Sequence, residues 1–211
     1  VESCQEIKDQ NISLVLIDSS INSDAYDTCY MTGNMEAGQI AAKEMLAMLA
    51  EQGNTDQCPL EVGILLSSDS SQAMVNRVSG FLEYWIKYAP EKWTINQDIR
   101  LNGGDMENAQ ADVAELLRNN KQIKGLYGCN NTSTKGIAAV LMNTNRQDIV
   151  MAGFDLAEET ASLIRDPDYH GITLLQKQDQ MAYEGMLSLD RQIHGEKSEQ
   201  KYIDTGVLLV D

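Results

Sequence analysis

Positive charge is scarce in this chain, and the scarcity excludes a class of partners. Sixteen lysines and arginines stand against 32 aspartates and glutamates, a formal net charge of −16 with an isoelectric point near 4.4. Nucleic-acid phosphates need a basic face, which so few cations cannot assemble, and the acidic excess reads most simply as a contribution to solubility. Long apolar runs are missing as well. No stretch of about 18 apolar residues occurs, so no segment is expected to insert into or span a membrane. The amino end has no charged-then-apolar targeting segment, although a leader removed earlier leaves secretion open. Cysteine is limited to Cys4, Cys29, Cys58 and Cys129, with no pair at metal or redox spacing. Cys129, in an apolar run, reads as a small buried hydrophobe, whereas Cys58 lies in a polar loop.

Catalytic groups are equally thin. His170 and His194 are the only histidines. The first follows a Pro-Asp-Tyr loop, and the second sits at a helix end where the dipole favours it. No Gly-x-Ser-x-Gly elbow is present. Gly33-Asn34-Met35-Glu36-Ala37-Gly38 has the glycine spacing of a phosphate loop, but Gln39 and Ile40 stand where lysine and a hydroxyl are needed. Asp18 and Asp155 could be proposed as an acid/base pair, but sequence alone does not give their separation. The expectation is a binding protein rather than an enzyme, with no metal or cofactor.

Short apolar runs alternate with longer helical patterns, the signature of β-α units feeding a parallel sheet. With 43% hydrophobic residues in 211, the chain can form one large α/β domain, or a domain and part of another. Strands are predicted at Leu14 to Ile17, Val62 to Leu66, Ile123 to Tyr127, Ile149 to Phe154 and Ile172 to Leu175. Weaker ones are predicted near Thr94 to Leu101 and Ile203 to Val210. The runs are continuous, as expected for strands covered by helices on both faces. Helical stripes follow from spacings of three and four. One comprises Gly38, Ala41, Ala42, Met45 and Leu49, and another runs from Met74 through Val75, Val78, Phe81, Leu82 and Trp85 to Ile86. Two more are Met106, Ala109, Val113, Leu116 and Leu117, then Ala182, Met186, Leu189 and Ile193. All four stripes are expected to be core. Asp105 suits a helix N-cap and Gly195 a helix stop. There is no internal sequence repeat, low-complexity segment or linker.

In an open parallel sheet, ligands bind beyond the carboxyl ends of the strands. The residues there are Asp18, Ser67 and Ser68, Asn130, Asp155 and Gln176, all polar. Each alone could be a turn or cap residue, so the agreement among them carries the argument. Carboxylates and amides match vicinal hydroxyls, and Arg77, on a helix edge, offers a planar fork of donors. Phe154 could offer an apolar face to the carbon side of a sugar ring, or simply be a buried strand residue.

Five stretches in series then resemble a known family. They are Leu14-Val-Leu-Ile-Asp18-Ser-Ser, Thr32-Gly-Asn34-Met-Glu-Ala-Gly38, Asn76-Arg77-Val-Ser-Gly80-Phe81, Gly153-Phe154-Asp155 and Gln176-Lys-Gln-Asp-Gln180-Met-Ala-Tyr-Glu-Gly185. Together they resemble the ribose- and galactose-type sugar-binding proteins of ABC importers, of the type I periplasmic-binding-protein fold. The resemblance implies two Rossmann-like lobes joined by three crossovers, sugar in the interlobe cleft, and closure by hinge motion. It implies ligand contacts from Asp18, Thr32, Arg77, Asn130, Phe154, Asp155 and Gln176. It divides the chain into an amino-lobe remnant at 1–31, a carboxyl lobe at 32–176, an amino-lobe helix at 177–202 and a return strand at 203–211. The family's first β-α-β-α-β elements are expected to be missing. Cys129-Asn130-Asn131 departs from the acidic residue more usual after the amide. The implied partners are a mono- or small oligosaccharide or polyol and a membrane permease. The implied location is extracytoplasmic, periplasmic or as a cell-surface lipoprotein. The alternatives are the effector domain of a lactose-repressor-type regulator and an extracellular sugar or autoinducer sensor domain.

Overall fold

The structure is a computed structural model that describes every residue except Lys197. Its first elements are α1 (Glu2–Asp9), β1 (Val15–Ile17), β2 (Thr28–Met31), α2 (Asn34–Glu51), β3 (Leu60–Leu66) and α3 (Gln72–Tyr88). Then come β4 (Trp93–Ile95), β5 (Arg100–Leu101), α4 (Met106–Asn119), β6 (Ile123–Gly128), α5 (Asn131–Asn143) and β7 (Val150–Phe154). The chain ends with α6 (Glu158–Arg165), β8 (Gly171–Gln176), α7 (Gln178–Ile193), β9 (Tyr202–Asp204) and β10 (Val207–Val210). The fold class is the expected one, α/β with parallel strand pairing.

Two compact units result. One comprises Val1–Gly33 with Gln176–Leu208, and the other Asn34–Leu175 with Leu209–Asp211. The larger is built on a sheet of order β10-β8-β7-β6-β3-β4, with β5 also paired to β3. From β8 to β4 the neighbours pair in parallel. Its core holds Leu65, Val113, Leu116, Ile123, Leu126, Ile137, Leu141 and Met151. The smaller unit is a three-stranded parallel sheet, β1-β2-β9.

The α2 and α3 helices meet backbone to backbone, because two glycines leave no side chain between them. A Cβ on Gly38 would lie 2.1 Å from the carbonyl oxygen of Arg77, and one on Gly80 would lie 1.9 Å from that of Met35. Arg77 is thereby mounted on a fixed platform. The caps behave as their chemistry requires. Asp105 accepts from the Asn108 amide at 2.9 Å, and Gly195 takes φ +91° just beyond α7.

Several expectations need correction. The β2 strand was not anticipated, because Thr28-Cys29-Tyr30-Met31 reads as mixed in polarity although all four residues are buried. Hydrophobic spacing alone picks out neither α5 nor α6. The first opens on a polar turn, and the second buries only Thr160 and Leu163. The strand near Thr94 to Leu101 is two short strands, and that near Ile203 to Val210 is broken at Gly206, with φ +70°. In α3, Phe81 and Trp85 are buried but Ile86 is exposed. In α7 the stripe faces the wrong way: Met186 and Ile193 are exposed, whereas Met181, Gly185 and Ser188 are buried. The helix lies on β1 through its small residues, since a Cβ on Gly185 would touch Ile17 at 2.9 Å.

All four cysteines are free, with Cys58 exposed, Cys4 half-buried and Cys29 and Cys129 buried. Burial pushes the Cys129 thiol well up, against the pull of the nearby Arg77 charge. Burial, then the Asp18 charge, raises that of Cys29. Thiolate is the reactive species. Native protein treated with a maleimide should therefore label at Cys58 first, at Cys4 more slowly, and at Cys29 and Cys129 only after denaturation. Mass spectrometry of peptides from the native reaction tests this, and early label on Cys129 would overturn the placement.

Candidate ligand-binding site

In the larger unit, polar groups gather where the parallel strands end. Arg77, on α3, is only 5% exposed, so it is not at a helix edge as expected. Its Nε donates to Asn34 Oδ1 at 2.7 Å and its Nη1 to the Cys129 carbonyl at 2.9 Å. Its guanidinium lies 3.9 Å from the centre of the Phe154 ring, a contact favoured by the ring quadrupole. Beneath it Tyr127 stacks on Phe81 with ring centres 4.3 Å apart, and donates to the Arg77 carbonyl at 3.4 Å. Burial raises the Tyr127 phenol well above its ordinary range, so it stays a neutral donor.

Of the two readings of Phe154, the structure supports the buried strand residue. Its side chain is fully buried and its ring is the floor under Arg77. Asp155 follows immediately, with the left-handed φ of +63°, and its amide donates to the Leu174 carbonyl at 3.0 Å. Thr173 donates to the Asp155 carbonyl at 2.7 Å. Asp155 thus sits at a corner pinned to β8 on both sides.

Thr134 sets the spacing between the β6 and β7 ends. Its hydroxyl accepts from the Phe154 amide at 2.9 Å and donates to the Asn130 carbonyl, also at 2.9 Å. Gly128 and Gly153 leave it room, since a Cβ on either would approach its side chain within 2.8 Å. Asn130 occupies the N-cap of α5, but its side chain caps no helix amide. Its Oδ1 instead accepts from Ser133 at 2.6 Å. Ser67 and Ser68 are spent locally: the first contacts the Met74 sulfur at 3.1 Å and the second accepts from the Ser70 amide.

The smaller unit repeats part of this arrangement. Asp18 follows β1 with φ +67°, and its amide donates to the Tyr30 carbonyl at 2.8 Å. The chain then yields Thr32 two residues after Tyr30, just as Gln176 follows two residues after Leu174. A structural echo thus exists where no sequence repeat is visible. Thr32, expected to meet a ligand, is 1% exposed, and its hydroxyl lies 3.3 Å from Gln176 Oε1. Its place is behind Gln176, holding that amide. Asp204, not anticipated, accepts from the amides of Gly33 at 2.6 Å and Gly206 at 2.7 Å.

Asn34, Asn102, Ser133 and Thr134 were also missed. Asn102 directly follows Leu101, so the strand-end rule, applied to that weak strand, points to it. For Asn34, Ser133 and Thr134 the only signal was proximity to a residue already chosen.

A polar depression of about 360 Å³ lies at the opposite ends of the strands, against Gln52, Lys124, Asp148 and His170. It is a satisfied surface: Gln52 Nε2 reaches His170 Nδ1 at 3.3 Å, and Asp148 takes Arg146 at 2.6 Å and Lys124 at 2.8 Å. The Arg146 hydrogen bond holds the Asp148 carboxyl below its usual range.

The family described as "Periplasmic binding protein domain" matches residues 1–197. A curated relative, the D-apiose import binding protein of Actinobacillus succinogenes, is 25% identical over 207 residues. The match takes in 98% of this chain and 60% of that relative's length. An ABC transporter solute-binding protein from Agrobacterium vitis, solved with bound D-fucose, is 26% identical. It superposes with a TM-score of 0.84 over 100% of this chain and 70% of its own. The periplasmic component of an ABC-type sugar transport system from Hahella chejuensis shares the fold, with a TM-score of 0.86 at 23% identity, over 100% of this chain and 73% of that one.

Proposed function

Because the chain belongs to the periplasmic binding protein domain family, whose members here are binding proteins and not enzymes, we propose that it serves as the extracytoplasmic solute-binding component of a sugar importer. Its ligand is a mono- or small oligosaccharide or related polyol, bound reversibly. The observation that carries this reading is the group at the strand ends of the larger unit. A carboxylate, Asp155, is held at a left-handed corner one residue beyond Phe154, the ring that the Arg77 guanidinium covers, and three contacts fix the direction of that guanidinium. A sugar hydroxyl can donate to such a carboxylate while accepting from the guanidinium, and charge-assisted bonds of this kind are about twice as strong as neutral ones.

Asn130 adds an amide to this group, and Asp18 and Gln176 are the corresponding polar residues of the smaller unit. Thr32 and Phe154 support these rather than touching sugar. Relatives described as binding an aldose or as solved with one, D-apiose and D-fucose, support this ligand class over a regulator's effector. Delivery to a membrane permease, with lipid attachment in a bacterium without an outer membrane, completes the proposal.

Since the chain spans 60% of its curated relative's length, the test uses the complete gene product. Titration calorimetry against D-apiose, D-arabinose, D-fucose and D-tagatose should give saturable one-to-one binding of at least one. A broader panel of sugars and polyols that all fail to bind would overturn the reading.

A further inference from the structure

An amide side chain has no built-in polarity toward a ligand, because it can present either its oxygen or its NH2 group. For Asn130 the choice is made by a chain of hydrogen bonds that starts at a group able only to donate. The backbone N–H of Gly104 donates to Asn102 Oδ1 at 3.0 Å, so the other end of that amide is its NH2. Asn102 Nδ2 in turn donates to Ser133 Oγ at 2.8 Å. Having accepted there, the Ser133 hydroxyl turns its proton to Asn130 Oδ1, 2.6 Å away.

Asn102 is 1% exposed and Ser133 fully buried. Reversing a link would oppose two donors or leave a buried hydroxyl proton without an acceptor, a cost that burial makes large. The usual occupation of asparagine at a helix N-cap, accepting from a helix amide, is absent at Asn130. Its oxygen is committed to Ser133 instead.

We propose that Asn102 and Ser133 are positioning residues that make Asn130 an obligate donor, so that this point of the site accepts a ligand oxygen, a hydroxyl or ring oxygen, and not a ligand donor. The ligand class rests on the sugar-binding reading; the orientation of the amide does not. The arrangement complements Asp155, which when ionised can only accept. Arg77 is settled by the same logic, with Nε given to Asn34 and one Nη1 proton to the Cys129 carbonyl.

Two measurements test this. The first needs no ligand. In the 15N-labelled chain the Asn130 side-chain NH2 pair is identified by its loss in Asn130→Asp. Cross-relaxation from the Ser133 β-protons should reach the NH2 of Asn102 and not that of Asn130, and Ser133→Ala should shift both pairs. Strong cross-relaxation between Ser133 and the Asn130 NH2 would overturn the proposal. The second uses the complete gene product with D-fucose. Asn130→Asp keeps an oxygen for Ser133 but removes the donors, and should weaken binding about 10- to 100-fold. Ser133→Ala should weaken it less. Unchanged affinity in Asn130→Asp would overturn the donor role. A protein that binds no sugar overturns the preceding function instead, while the ligand-free spectrum still decides the amide's orientation.

Discussion

Gly80→Ala should lower the free energy of unfolding by about 3 kcal/mol, the upper end of the usual cost of overpacking. The sign is the informative part. Alanine for glycine inside an ordinary helix gains up to about 1 kcal/mol, because glycine is the poorer helix former. Here the added methyl would stand 1.9 Å from the Met35 carbonyl oxygen and 2.8 Å from its carbon. These are backbone atoms of α2, which cannot rotate away as the tip of a side chain can. The two helices must separate, and the reciprocal contact of Gly38 with the Arg77 carbonyl opens with them. Urea denaturation reads the effect as a lower midpoint at unchanged slope. A variant as stable as the parent would show that α2 and α3 do not touch through their backbones. Sugar affinity should fall in the same variant, since Arg77 rides on the displaced helix.

The second large effect is expected at Asp155. Asp155→Asn keeps a residue that tolerates a left-handed backbone, so stability should stay within about 0.5 kcal/mol, as for a substitution away from packing and caps. Affinity for the sugar should nevertheless drop by about 2 kcal/mol or more, because a neutral amide replaces the charged acceptor. Asp155→Ala should lose several kcal/mol of binding, and in addition about 1 kcal/mol of stability, because alanine lacks the short polar side chain that eases the left-handed backbone. The pair of variants separates the charge from the backbone. Calorimetry and denaturation on both, together with Asp155→Gly as a control that removes the carboxylate while relieving the backbone, complete the comparison. Undiminished binding in Asp155→Asn would remove this carboxylate from the site.

How much was legible in the sequence depended on how far each signal reached along the chain. The β3, β6, β7 and β8 strands stood out because strands covered on both faces are written as unbroken apolar runs, and their ends led directly to Asn130, Asp155 and Gln176. The β2 strand was invisible because its inward residues include Thr28, whose hydroxyl is satisfied by Gln192 Nε2 at 3.2 Å. Burial here depends on a partner 164 residues away. The stripe on α7 was seen and assigned to the wrong side, since hydrophobic spacing identifies an apolar face but not which face a glycine allows to come close. The same limit governed the site. Strand-end position named the polar residues, whereas their duties came from contacts such as Arg77 with Asn34, 43 residues apart, and Asn102 with Ser133, 31 apart. Phe154 and Thr32 were chosen as ligand contacts because pattern alone does not distinguish a side chain that meets the ligand from one that holds the side chain that does.

The two left-handed corners after β1 and β7 carry a consequence for how such a protein can change. Aspartate, asparagine and glycine occupy that backbone region most readily, and in the genetic code asparagine and glycine each lie one nucleotide from aspartate. Drift at Asp18 and Asp155 is thus easiest among a charge, a dipole and nothing. New ligand preferences acquired at these corners would come by switching electrical character, while changes of size must be found elsewhere in the chain.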